Sequence, residues 1–238
     1  PAGLAPNLQL SFNSQIIDEA LSAYTQGSWV GFGWSLDTGA ITRNMHGTDN
    51  TTGTNMSSPE GDDTFSISVG GISGTLLPVG SNFAEGTTTY NTADQSFAKV
   101  IWNNGNAWTV YTKEGLIYTF GGQWLNDGSH ETDHYYASTN KSSGCSATRD
   151  LLWRWSLRSV KDTHGNEITY GYYTEKKSGC ANQIAVYPDW IEYPNHLYRI
   201  QFYREARFDY QHSWTSPNNR VLYGTSRLHE IKILTRAS

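Results

Sequence analysis

One stretch constrains the fold more than any other: Leu151 to Tyr173, LLWRWSLRSVKDTHGNEITYGYY. Leu151, Trp153, Trp155 and Leu157 recur at every second position, which puts four large apolar side chains on one face of a strand. A polar break follows at Lys161-Asp162-Thr163-His164-Gly165-Asn166, where Gly165 and Asn166 are the residues best able to take positive φ. A second strand starts at Ile168 and ends on Tyr170 and Tyr172. Strand, turn chemistry and strand together predict a β-hairpin.

The same grammar recurs along the chain. Leu8, Leu10 and Phe12 alternate with polar residues and predict a half-buried strand, whereas Ile16 to Gln26 is short, uncapped and read as loop. In Gly27–Leu36, GSWVGFGWSL, a strand would put Val30, Phe32, Trp34 and Leu36 on one face. Trp29, Gly31 and Gly33 would fall on the other, leaving bare backbone where a ring can lie close. Further strands are expected at Ala40–Asn44, Phe65–Val69, Ile72–Val79, Phe97–Trp102, Ala107–Thr112 and Leu116–Phe120. Later ones are expected near Ile184–Tyr187, Trp190–Tyr193, Tyr198–Tyr203, Arg220–Tyr223 and Leu228–Leu234, with Pro188 and Pro194 at strand ends or edges. The strand Trp108–Thr112, the turn with Gly115 and Ile117–Phe120 echo the later hairpin. Residues 46–63 read as a surface loop, and Gly121–Arg149 as a long, irregular and mobile insertion. The fold class is all-β, an antiparallel meander of short strands forming a curved sheet or sandwich.

Composition narrows the function. Gly (23), Tyr (15) and Trp (9) are plentiful and charged residues make up 16%, which favours strands and tight turns. A net charge of −5 argues against nucleic acid as a partner. No apolar run is long enough for a spanning helix. The chain opens at Pro1 without an initiator Met or a signal-peptide core, and ends on strand-like Ile231–Leu234. It is therefore expected to be a piece of something longer. Cys145 and Cys180 stand in matching Ser/Gly-rich loops around the central hairpin and predict a disulfide, the alternative being two unrelated exposed thiols. With the sequons at Asn50, Asn55 and Asn140, they point to an extracellular setting.

Val160-Lys161-Asp162-Thr163-His164-Gly165-Asn166-Glu167-Ile168-Thr169-Tyr170-Gly171-Tyr172 resembles the V-x-D-x-x-G-N-x-x-T-Y-x-Y pattern of Rhs/YD-repeat proteins. Gly3–Pro6 to Phe12-Asn13-Ser14, then Gly31–Leu36 and Ile41-Thr42-Arg43, is similar to the SpvB-type N-terminal domain of toxin-complex B components. Gly61–Phe65 and Trp155–Val160 follow in the same order. The resemblance implies a single β-rich module over residues 1–238: an SpvB-type part (1–120), a loop insertion (121–149) and YD-like hairpins (150–238). It also implies that the module leads into a hollow β shell that sequesters a C-terminal effector. The partners expected are the remainder of its own chain, such an effector, or a cell-surface glycan. The insertion and the cysteines suit a secreted or surface-displayed scaffold.

No catalytic centre is indicated and no cofactor is expected. His130-Glu131-Thr132-Asp133-His134 matches H-E-x-x-H, but zinc needs that motif on a helix with a third ligand, and no amphipathic pattern surrounds it. Asp62, Asp63 and Asp127 lack calcium-loop spacing, and His46, His164, His196, His212 and His229 are scattered. Trp153 and Trp155 share a face with leucines, as core residues do; Trp124 and Trp214 sit in polar settings and are the candidates for an exposed sugar platform. A Cys145–Cys180 bridge should stabilise the protein by about 3–4 kcal/mol, lost on reduction. Alkylation of both cysteines in the native protein without reductant would rule it out.

Overall fold

A computed structural model of the chain describes residues 4–15, 27–44, 64–80, 88–94, 96–103, 107–122, 134–138, 150–176, 183–194, 196–208 and 224–235. At 88, 134–138, 150–153, 176, 183 and 184 the description is of the backbone. Its regular elements are strands: β1 (Leu10–Phe12), β2 (Trp34–Leu36), β3 (Ala40–Asn44), β4 (Thr64–Val69), β5 (Ile72–Pro78), β6 (Thr88–Thr92), β7 (Lys99–Asn103) and β8 (Ala107–Tyr111). They continue with β9 (Ile117–Gly121), β10 (His134–Ser138), β11 (Asp150–Lys161), β12 (Glu167–Lys176), β13 (Gln183–Tyr193), β14 (Tyr198–Ala206) and β15 (Ser226–Thr235). The expected all-β class is what the chain adopts.

Strands β3 to β9 form a meander, and β11 pairs with both β3 and β9, so eight antiparallel strands close into a barrel. From β11 the sheet continues through β12, β13 and β14 to β15 at its outer edge. The long strand β11 serves both structures. Trp155 lies between Ile41 of β3 and His134 of β10, and Ser159 lies between Thr119 of β9 and Thr169 of β12. Between Leu157 and Ser159 the register against β9 slips by one residue, a bulge at Arg158. The bulge changes the phase of the inward face: Trp155, Leu157 and then Val160 are buried.

The barrel is filled rather than hollow. In β4, Phe65, Ile67 and Val69 point in while Thr64, Ser66 and Ser68 face solvent. Phe65, Tyr90, Trp102, Trp108 and Trp155, from five different strands, meet with ring centroids 4.7–5.8 Å apart in tilted or edge-to-face pairs. Such pairs contribute about 0.5–1.5 kcal/mol each beyond the area they bury. The indole N–H groups of Trp108 and Trp155 are buried without a hydrogen-bond partner among the described residues. Their burial therefore rests on packing alone.

The D-x-x-G-N turn is held by its own side chains. Asp162 Oδ1 accepts from the backbone N–H groups of His164 (2.8 Å) and Asn166 (2.9 Å), and Asn166 Nδ2 donates to Asp162 Oδ2 (2.7 Å). Gly165 takes positive φ, as expected, but Asn166 does not; its amide is spent on Asp162. The echo between hairpins extends to the hydrogen bonds. Gly115 N–H reaches Thr112 O as Gly165 N–H reaches Asp162 O, and both glycines have φ of 83°. The two turns also touch, since a Cβ on Gly115 would lie 2.5 Å from Thr163 Cγ2.

Several expectations change. Part of the supposed irregular insertion, His134–Ser138, is a strand paired with β11. Strand β6 had no counterpart in the sequence reading. Phe97 is not in a strand; it has φ 57° and is 77% exposed. The two strands expected on either side of Pro188 are one, β13, because Pro188 lies opposite Tyr172 beside a bulge at Asp189, where the missing N–H is tolerated.

Two outcomes follow. Trp155→Ala should destabilise by about 3–5 kcal/mol in denaturant titration. Gly115→Ala should cost more than Gly165→Ala, because at Gly165 an added Cβ meets nothing and only the backbone is strained. Thr163→Ala should recover part of the difference in a double-mutant cycle.

Candidate functional site: a clasped sheet with an open edge

The sheet β12–β15 coils on itself, and a buried carboxylate fastens the coil. Glu175 of β12 accepts hydrogen bonds from Thr225 N–H (3.0 Å), Thr225 Oγ1 (2.5 Å), Ser226 Oγ (3.3 Å) and Tyr187 Oη (3.1 Å). Strands β13 and β14 separate β12 from β15 in the sheet, so this contact requires strong coiling. The inside of the coil is plugged by residues 27–29. Trp29 packs against Tyr187 (5.6 Å) and Phe202 (6.1 Å), and its carbonyl accepts from Leu228 N–H (2.7 Å). Arg207 donates to the carbonyl oxygens of Gly27 (2.8 Å) and Ser28 (3.3 Å).

This corrects the reading of GSWVGFGWSL as a strand. Turns run from Ser28 to Gly31 and from Gly31 to Trp34, with φ of 126° at Gly31 and 76° at Gly33, and only Trp34–Leu36 is extended. The close approach expected at a glycine does occur at Gly33, where a Cβ would meet Phe12 Cε2 at 2.7 Å. Strands β1 and β2 form a separate ribbon, so Leu10, Phe12 and Trp34, expected to be buried, are 44–50% exposed. Trp34 packs against Phe12 instead, with centroids 5.1 Å apart and the rings tilted by 47°.

The outer face of the coil is a lattice of paired charges and rings. Trp190 lies against Gly171, where a Cβ would be 2.1 Å from its Cε2, and Arg199 lies over the indole, 5.0 Å from its centroid. Arg199 Nε donates to Glu192 Oε1 (2.8 Å), and His196 Nδ1 lies 2.5 Å from Glu192 Oε2. Burial pushes the Glu192 carboxyl up, but the bonds from His196 and Arg199 and their charges outweigh it and hold the group below the usual carboxylate range. Arg204 pairs with Asp189 (2.8 Å) over the Tyr173 ring, and Lys232 with Glu230 (3.1 Å) over Tyr203. Glu205 takes both Arg227 (2.7 Å) and His229 (3.1 Å).

The inner face is different. Ile200 and Phe202 of β14 are buried, but their partners across the ladder, Ile233 and Ile231 of β15, are 70% and 39% exposed. The apolar row thus runs one strand past its cover to β15, which among the described residues has no strand beyond it and meets the Trp29 carbonyl at Leu228.

Of the residues singled out in the sequence, Trp124, Trp214, Cys145, Cys180, His46, His212, Asp62, Asp63, Asp127 and His130 to Asp133 lie outside the described residues. His134 begins a strand, not a helix. His164 is exposed at its turn, while His196 and His229 pair with glutamates. Among the described residues no group of three or more His, Cys, Asp or Glu is placed to hold a metal. Glu175, Arg207 and the Gly171–Trp190 contact were not foreseen; a lone Glu inside an aromatic strand was the one available signal.

No protein-family model and no curated protein matches the chain. Solved structures do. It is similar to the TcdB2-TccC3 chain (16% identity, TM-score 0.59), matching 98% of this chain and 13% of that one. It is also similar to the N-terminal domain of effector protein SpvB from Salmonella typhimurium strain LT2 (14% identity, TM-score 0.53), over 99% of this chain and 96% of that one. The fold is SpvB-like. A Photorhabdus luminescens Tc holotoxin pore contains a similar segment (15% identity, TM-score 0.56), and the match takes up 12% of that chain. The chain thus has the dimensions of an SpvB N-terminal domain and spans about an eighth of the longer toxin chains.

Because Glu192 is held below the ordinary carboxylate pKa, its contribution to stability is fully present above about pH 4.3 and is lost as pH falls through the lowered value. Glu192→Gln should flatten the acid limb of stability against pH and leave the neutral limb parallel to the parent. Gly171→Ala should displace Trp190, read as a red-shifted tryptophan emission.

Proposed function

We propose that the chain is a non-catalytic structural module of a large, secreted, toxin-related protein of the Rhs/YD-repeat kind, and that it works by continuing its sheet into a β shell. The observation that carries this reading is the edge of β15, where Ile231 and Ile233 extend the buried row of Ile200 and Phe202 into solvent. Past Leu228 that edge has no partner strand among the described residues, and an open edge with an apolar inner face is a template for another strand. The SpvB-like fold supports the reading, since the same fold occupies a small part of much longer toxin chains. The partner is the remainder of a longer polypeptide, with any effector enclosed beyond this module. Use of the acidic groups in turns and ion pairs supports a mechanical role over a catalytic one.

Amide hydrogen exchange on β15 tests it. The β15 amides beyond Leu228 that face away from β14 should exchange readily in the 238-residue chain and be protected in the longer polypeptide; equal exchange of these amides in both would sink the proposal. Ile233→Asp should change the stability of the isolated chain by no more than about 0.5 kcal/mol, yet lower the yield of the longer assembly.

A further inference from the structure

A cleft of about 440 Å³ lies where the N-terminal segment crosses the end of the barrel, between residues 4–11 and the β4–β5 turn. Its volume falls near the lower end of the roughly 300–1,000 Å³ typical of small-molecule clefts. Two phenols form its inner wall, Tyr118 of β9 and Tyr170 of β12, which are only 6% and 9% exposed. Neither hydroxyl has a hydrogen-bond partner among the described residues, and neither is sealed from solvent, so both are open to a partner from the cleft. Burial raises both phenols above their ordinary pKa, with Glu114 adding to the effect on Tyr118 and Tyr118 to that on Tyr170, so both remain protonated donors.

The rest of the lining selects among ligands. Among the described residues it contains no Lys, Arg or His, which disfavours phosphates and carboxylates. Its single carboxylate, Asp37, already accepts from Gly39 N–H (2.9 Å) and Ser68 Oγ (2.8 Å), which leaves a poor cation site. The amides of Asn7 and Gln9 and the hydroxyl of Ser73 offer both donors and acceptors over a floor of Leu157, Val160 and Ile168. A neutral ligand with many hydroxyls and an apolar C–H face meets all of these terms. We infer that this cleft binds a neutral mono- or disaccharide, with the Tyr118 and Tyr170 hydroxyls donating to sugar oxygens.

The site is independent of the β15 edge, so it stands or falls apart from the shell reading. The test titrates the 238-residue chain with maltose, lactose, cellobiose and diacetylchitobiose, followed by saturation-transfer NMR, with inorganic phosphate as the anion control. At least one sugar should bind, and Tyr118→Phe and Tyr170→Phe should each weaken it about five- to tenfold, the effect of one hydrogen bond. Neither variant should lower Tm, because neither hydroxyl bonds to a described residue. Ser73→Trp, at the mouth, should abolish binding. Failure of every sugar, unchanged affinity in both Phe variants, or phosphate competing for the cleft would overturn the inference.

Discussion

The structure depends on β11 being hydrogen-bonded along both edges to four strands that come from both sides of it in sequence. A barrel needs one strand to accept both the first and the last member of its meander, and β11 takes β3 and β9. An open sheet needs an anchor, and the far end of the same strand takes β12. Twelve residues suffice because the bulge at Arg158 lets the strand bend between the two tasks while its buried side chains stay inward. Removing that shared strand would open the barrel and release the outer sheet together. Its central side chain, Trp155, touches rings from β4, β7 and β8, so closure and core formation are one event.

What the sequence disclosed was whatever is settled within a hairpin. The period of two in β4 and the Asp162–Asn166 turn are local, and both were legible. What it hid depends on partners far along the chain. Closure of β3 on β11 joins residues more than a hundred positions apart, and no alternation announces it. The bulges at Arg158 and Asp189 look like errors of phase when read alone, and Pro188 looks like a stop until its place beside a bulge is known. The run GSWVGFGWSL misled for the same reason. Its apolar spacing suits a strand, but its glycines adopt backbone angles that close turns, and its tryptophans divide between a plug and an exposed ribbon.

Residue types that invite catalytic readings are largely consumed by architecture among the described residues. Glu175 fastens the coil, Asp162 builds a turn, and Glu192, Asp189 and Glu205 pair with cations over aromatic rings or beside them. Glu175 has the most partners of these, holding Thr225, Ser226 and Tyr187 together.

The two halves of the molecule therefore solve opposite problems. The barrel has no free edges along its closed path and is packed with rings, so it has nothing further to pair with and little reason to change shape. The coiled sheet satisfies its outer face with charge pairs and its inner face with the Trp29 plug, yet leaves β15 half covered. Natural proteins usually blunt such an edge with charge, and β15 does carry Glu230 and Lys232. Those two residues neutralise one another at 3.1 Å on the outer face, so they do not protect the side on which Ile231 and Ile233 stand. On the proposed reading, an edge left apolar on one side and charge-paired on the other takes a strand of matching face. The filled barrel behind it supplies the rigidity that such a junction requires.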